Sequence, residues 1–204
     1  MRLCMKADAP GTALANRKFG NIAFVAGGAI AAEREPDALS SLETSFSAPS
    51  GLVAVEQPFG SGKFDMYVTE TQSHVVRRIR DGQVSTVAGV RNRPSAVQLS
   101  SPRGLALQMD PDPAKTFIFV VDSGNNRVRR ICHGDGSVTT ALSLQSGTES
   151  VAVRASYEPE ASVSCPLPLS VAVGTNPANH TLLYVGGGDR VIEANLSTHV
   201  ARTV

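Results

Sequence analysis

Short apolar runs separated by turn residues recur along most of this chain. Phe117-Ile118-Phe119-Val120-Val121 is apolar at every position. A strand with one wet face alternates apolar and polar side chains, so this run predicts a strand buried on both faces. Asp81-Gly82 interrupts two strand-like runs and predicts a two-residue hairpin, because both central residues of a type I′ turn take positive φ. His133-Gly134-Asp135-Gly136 predicts a longer hairpin at the equivalent place. Gly124-Asn125-Asn126 predicts another turn, since Gly and Asn tolerate the left-handed region.

These elements repeat. The segment from Tyr67 to Ile79 aligns without a gap on the segment from Phe119 to Ile131, 52 residues further on. Upstream, Ser47 to Val55 matches Ser100 to Leu107; downstream, Val84 to Gly89 matches Val138 to Leu142. A looser third copy runs through Pro168-Leu169-Ser170-Val171-Ala172-Val173, Leu183-Tyr184-Val185, Asp189-Arg190-Val191-Ile192 and His199 to Val204. In it Gly186, Gly187 and Gly188 compress a turn. Each copy reads as four short strands, and a repeat of about 40–50 residues with four strands predicts antiparallel sheets stacked around an axis. The fold class expected is therefore all-β, with blades at about 47–89, 100–142 and 165–204. Ile22 to Gly27 resembles Val84 to Gly89 and predicts a lone outer strand, while residues 1–21 carry no blade pattern.

Three stretches carry a family resemblance. They are Pro102-Arg103-Gly104-Leu105-Ala106, Asp122-Ser123-Gly124-Asn125-Asn126-Arg127 and Ser85-Thr86-Val87-Ala88-Gly89. Over residues 22–204 the pattern resembles the NHL-repeat β-propeller family. Closed propellers hold about 4–8 blades, so the resemblance implies a partial propeller, about half a ring. An open arc is expected to leave apolar residues such as Val53, Val55 and Ile118 on uncovered faces, which favours self-association or a protein partner. The resemblance implies a non-catalytic interaction scaffold that binds through its loop face, before first strands and between second and third strands. On those loops stand Ser50, Glu70, Gln72, His74, Arg103, Ser123, Asn125 and Asn126. Two alternatives are a fragment of a propeller hydrolase or lyase and an RNA-binding NHL module.

Composition sharpens this only in places. With 204 residues, no Trp and 5% aromatics, the core is built from Val, Leu, Ile and Ala. A net charge of +1 gives no global reason to expect nucleic acid or an acidic membrane. The repeated pairs Arg77-Arg78 and Arg129-Arg130 are the feature that speaks for RNA, but stacking aromatics do not accompany them. They are better explained as an outer strand whose long side chains cover apolar surface while their charges reach water. Cys4, Cys132 and Cys165 are odd in number and far apart, and the four His form no ligand set, so neither a disulfide framework nor a metal or other cofactor is expected. Catalytic motifs of the G-x-S-x-G, P-loop and dinucleotide-binding kinds are missing from the sequence. Glu70, Asp122 and Asp189 are the carboxylates nearest the turns between second and third strands, and Asp122 is expected to cap its own turn. No run has the ~20 apolar residues of a membrane helix, and residues 1–16 do not read as a secretory signal. The default location is then the cytoplasm. Asn179-His180-Thr181 and Asn195-Leu196-Ser197 match the glycosylation acceptor pattern.

Overall fold

A computed structural model describes residues 26, 39–40, 44–95, 98–144, 165 and 167–204. Three antiparallel sheets follow one another along the chain. The first joins β2 (Pro49–Glu56), β3 (Phe64–Glu70), β4 (Val75–Arg80) and β5 (Gln83–Gly89). The second joins β6 (Pro102–Gln108), β7 (Phe117–Asp122), β8 (Arg127–Cys132) and β9 (Val138–Ser143). The third joins β10 (Pro168–Thr175), β11 (Thr181–Gly187), β12 (Arg190–Asn195) and β13 (Val200–Thr203). A short strand β1 (Leu39–Ser40) pairs with β5 and makes the first sheet five-stranded. The expected outer strand at 22–27 lies outside the described residues, apart from Ala26, as do residues 1–21 and most of the link between the second and third sheets.

The turns follow from local chemistry. Asp81 and Gly82 both take positive φ, 48° and 75°, as a type I′ hairpin needs. His74 and Asn126 occupy the same left-handed position in successive blades, at φ 59° and 48°. Each first strand carries an irregularity just after its opening proline, between Pro49 and Leu52, Pro102 and Leu105, and Pro168 and Ser170. Such bulges bend a strand and strengthen its twist.

Burial explains the stacking. First strands of neighbouring blades lie side by side. A Cβ on Gly51 would stand 2.5 Å from the carbonyl oxygen of Arg103, and one on Gly104 would stand 2.8 Å from that of Leu169. Glycine at those two positions lets the innermost strands approach. Between the first two blades Val55, Tyr67 and Val76 pack on Leu99, Ile118, Val120 and Ile131. Between the second and third, Phe119, Val128 and Leu142 pack on Cys165, Leu183, Val185 and Ile192. In β7, Ile118 to Val121 are fully buried, as the unbroken apolar run predicts.

Two expectations need correction. Val55 and Ile118 are not on an uncovered face: both are fully buried in the junction between the first two blades, with Val53 packed beside them. The exposed apolar residues are others, among them Leu52, Phe59, Leu169, Val191 and Val200. The paired arginines are not on an outer strand either. They lie on β4 and β8, third of four, and Arg77 is fully buried. Beyond them lie β5 and β9, which pair with the arginine-bearing strands, and in the first sheet β1 lies beyond β5 in turn.

Candidate functional site

The loops between second and third strands and the approaches to first strands meet at one end of the blades. Each of the first two blades closes this end with one buried carboxylate. Glu70 accepts the Ser47 backbone N–H at 3.1 Å, and Asp122 accepts the Ser100 backbone N–H at 2.7 Å. Ser47 and Ser100 both stand two residues before the opening proline, so the contact is a repeat feature. Asp122 also accepts Arg127 Nε at 2.7 Å and Asn125 Nδ2 at 2.8 Å. Glu70 stands 3.6 Å from Arg77 Nη1 and 3.7 Å from Arg91 Nη1. Asp122 therefore does not cap its own turn through a backbone N–H. It ties the approach to β6 to the start of β8.

In the third blade the register differs. Pro49 pairs with Glu70 and Pro102 with Asp122, whereas Pro168 pairs with Gly187. Glycine holds the carboxylate's place, and Asp189 sits at the exposed tip of the turn beside Arg190, 3.3 Å away.

Hydroxyls link the blades at the same end. Thr71 Oγ1 donates to the carbonyl oxygen of Pro102 at 2.8 Å. Ser123, its counterpart, donates to the carbonyl oxygen of Pro168. Thr69 Oγ1 adds a bond to the carbonyl oxygen of Arg103 at 2.6 Å. His74 Nδ1 accepts the Ser101 backbone N–H at 2.9 Å, again across the first junction. These latches have no strong sequence signal: a Thr or Ser after a strand carboxylate reads as an ordinary turn residue.

The eight candidate residues thus divide. Glu70 and Ser123 are buried, and their polar groups are engaged inside the protein. Asn125 donates to the carbonyl oxygen of Ser95 at 2.9 Å as well as to Asp122, Asn126 supplies the left-handed turn residue, and His74 bridges two blades. Ser50, Gln72 and Arg103 remain exposed. Hydrogen bonds connect their surroundings: Ser50 Oγ lies 2.8 Å from Thr71 Oγ1, which reaches Pro102 beside Arg103, while Gln72 Oε1 accepts Ser47 Oγ at 3.2 Å. Exposed Leu52 and Leu169 lie on the neighbouring first strands.

The repeated arginines behave differently from one another. Arg130 stacks over the Phe117 ring at 4.7 Å, an arrangement that favours a cation on an aromatic face. Burial, then the charge of Arg127, lowers the Arg129 guanidinium below its ordinary pKa. Arg129 Nη1 donates to Thr140 Oγ1 at 3.0 Å. Among the described residues no group of three or more His, Cys, Asp or Glu is placed to hold a metal ion, and Cys132 and Cys165 are buried free thiols.

Three four-stranded antiparallel units stacked through their first strands define a β-propeller-like fold. Solved structures share it. A protein of unknown function from Bacteroides thetaiotaomicron VPI-5482 aligns with TM-score 0.50 and 14% identity over 81% of this chain and 33% of its own. A chain of a nidogen–laminin complex aligns with TM-score 0.49 and 15% identity, over 77% of this chain and 48% of its own. A catalytically inactive virginiamycin B lyase from Staphylococcus aureus, solved with quinupristin, gives TM-score 0.47 and 14% identity over 80% and 43%. The chain spans a third to a half of the length of these solved chains. No protein-family model matches the chain, and no curated protein matches it.

Proposed function

We propose that this chain is part of an NHL-type propeller that serves as a protein-binding scaffold, using the rim where the first two blades meet. One observation carries this reading. Ser50, Thr71, Pro102 and Arg103 form a hydrogen-bond-connected strip across the junction, exposed at Ser50 and Arg103, with Leu52 and Leu169 exposed on adjoining strands. A cation beside apolar side chains on a rigid support suits an extended protein segment with an acidic residue flanked by apolar ones. The NHL assignment is supported by where the resembling residues fall. Ser85 to Gly89 lie on β5, and Asp122 to Arg127 make the carboxylate-tied turn. The reading is also favoured over an enzymatic one because Glu70 and Asp122, the carboxylates acid–base chemistry would use here, are buried beside arginines.

The test is to select extended peptides against the whole chain and measure them again with Arg103→Glu and Gln72→Ala. Losing a charge-assisted contact of about 1.5–3 kcal/mol weakens binding by at least about tenfold. Ligands indifferent to both changes would remove this rim from the proposal. Tight, sequence-selective RNA binding abolished by changing Arg129 and Arg130 to Glu would assign the chain to RNA instead, and turnover of a lactone would assign it to catalysis.

A further inference from the structure

At the end of the blades opposite the carboxylate-tied loops, hairpin tips reach sideways into the preceding blade. His133, on the hairpin between β8 and β9, donates its backbone N–H to the Thr116 carbonyl oxygen at 2.9 Å. Its Nδ1 lies 2.7 Å from the Tyr67 hydroxyl of the first blade, and its Nε2 lies 3.8 Å from Asp65. Leu196, on the hairpin between β12 and β13, donates its backbone N–H to the Thr181 carbonyl oxygen at 3.0 Å. It packs with Phe117 against the core of the second junction. The two backbone bonds are equivalent, since Thr116 and Thr181 open the approaches to Phe119 and Tyr184 at the same spacing. Each tip therefore acts as a plug, and its chemistry matches the lining it meets: imidazole against Asp65 and Tyr67, leucine against Phe117.

At the equivalent place the third blade has a cavity of about 520 Å³. Leu182 pairs with Asn195 there, as Phe117 pairs with Cys132 in the second blade. Apolar Leu182 and Val200 line the cavity together with uncharged Asn176, Asn195 and Thr198. The two charges in its wall, Glu193 and Arg202, neutralise each other at 2.8 Å. Such a lining suits an uncharged apolar tip, as for Leu196 and unlike His133. Pockets of about 300–1,000 Å³ take ligands larger than one side chain, so the space suits a whole hairpin tip. Ser170 stands where Gly104 lets first strands approach, so the face is better fitted to a tip than to a stacked sheet.

The chain itself supplies such a tip. Among the described hairpins at this end, Asp81 and the link with Asp110, Asp112 and Lys115 carry charge, residues 176–180 present no large apolar side chain, and His133 and Leu196 are engaged. The hairpin between β2 and β3 differs. Phe59 is 59% exposed and Phe64 is 52% exposed. The Gln57 N–H donates to the Lys63 carbonyl oxygen at 2.8 Å, and the Ser61 N–H to that of Pro58 at 3.0 Å, which closes the loop. A Cβ on Gly60 or Gly62 would meet nothing within 4 Å, so the tip stands clear of the blades.

We infer that the Phe59 hairpin of one copy docks in the third-blade cavity of a second copy and joins the copies head to tail. Residues 59–62 carry no charge and meet a cavity whose own charges cancel. Burying the exposed ring removes apolar surface from water. The contact continues between molecules the arrangement of the internal junctions, where a hairpin tip enters the face of another blade. Tip and cavity are different surfaces, so the contact is heterologous, and copies add beyond two unless the rotation closes a ring.

Analytical ultracentrifugation of the full chain over a concentration series tests this, with two variants at exposed positions, Phe59→Ser and Val200→Lys. Wild type should pass beyond the dimer as concentration rises. Each variant alone should associate at least about tenfold more weakly, the loss expected when an anchor leaves its pocket. An equimolar mixture of the two should form a heterodimer and stop there, because one intact tip meets one intact cavity. Association unchanged by Phe59→Ser, a mixture no heavier than either variant alone, or wild type that stays monomeric overturns the inference. Should a variant not fold, NMR of wild type decides. Signals of the Phe59 ring and of the Leu182 and Val200 methyls should shift together with concentration, and movement of the methyls without the ring overturns the inference.

Discussion

Single side chains hold this fold at places where hydrophobic area says little. Asp122 has no exposed surface and accepts from Ser100, Asn125 and Arg127. Removing one partner from such a buried network leaves the others desolvated, which costs more than the bonds contribute. Asp122→Ala should lower unfolding free energy by about 3–5 kcal/mol in urea melts; a loss within experimental error would mean water replaces the carboxylate. Gly51 makes a steric counterpart. Gly51→Ala places a methyl 2.5 Å from the Arg103 carbonyl oxygen, backbone that cannot swing aside. Overpacking of this kind costs about 1–3 kcal/mol, and the same melt should register it. Gly82→Ala is different in kind. Nothing lies within 4 Å of the new methyl, but φ is 75°, so the cost of about 1 kcal/mol is backbone strain alone.

At the scale of elements, strands and hairpins were legible because they depend on local chemistry. The unbroken run from Phe117 to Val121 gave a doubly buried strand, and Asp81-Gly82 gave the hairpin. The gapless alignment of Tyr67 on Phe119 gave blade registry, since both face the following blade and pair with an arginine, Arg78 and Arg130. The third blade was harder to register. Gly186, Gly187 and Gly188 carry no side-chain pattern, so the sequence did not show which of them takes the carboxylate's place; pairing with Pro168 identifies Gly187. What binds blade to blade was also hidden, because an interblade hydroxyl such as Thr71 looks like any polar turn residue. Thr71→Val keeps shape and removes the donor to Pro102. A loss of about 1 kcal/mol is expected, with faster amide exchange in β6 as the confirming measurement; unchanged stability would show that the bond merely replaces one to water.

For the whole molecule, the question is how a blade face meant for a neighbour behaves when none of the described residues covers it. The free face of the third blade departs from the two packed ones. Where Tyr67 and Phe119 pair with Arg78 and Arg130, Tyr184 pairs with Glu193, which accepts Arg202 Nε at 2.9 Å. Ser170 stands where Gly104 lets a first strand approach, and Gly188 follows Gly187 where Ser123 follows Asp122, so the hydroxyl latch has no donor. A second copy stacked as the internal blades stack would meet a side chain in place of hydrogen and an unlatched proline. Yet Val191 and Val200 are 45% and 53% exposed around this polar pair, and burying them still lowers free energy. Self-association driven by apolar area without the latches should be concentration-dependent and weaker than the internal junctions. Light scattering after size exclusion should show average mass rising with concentration, and Val191→Lys with Val200→Lys should return it towards the monomer. A single monomeric species at every concentration would mean that the polar pair is enough to keep this face in water, and that the two valines are tolerated there in the way isolated apolar side chains are on most protein surfaces.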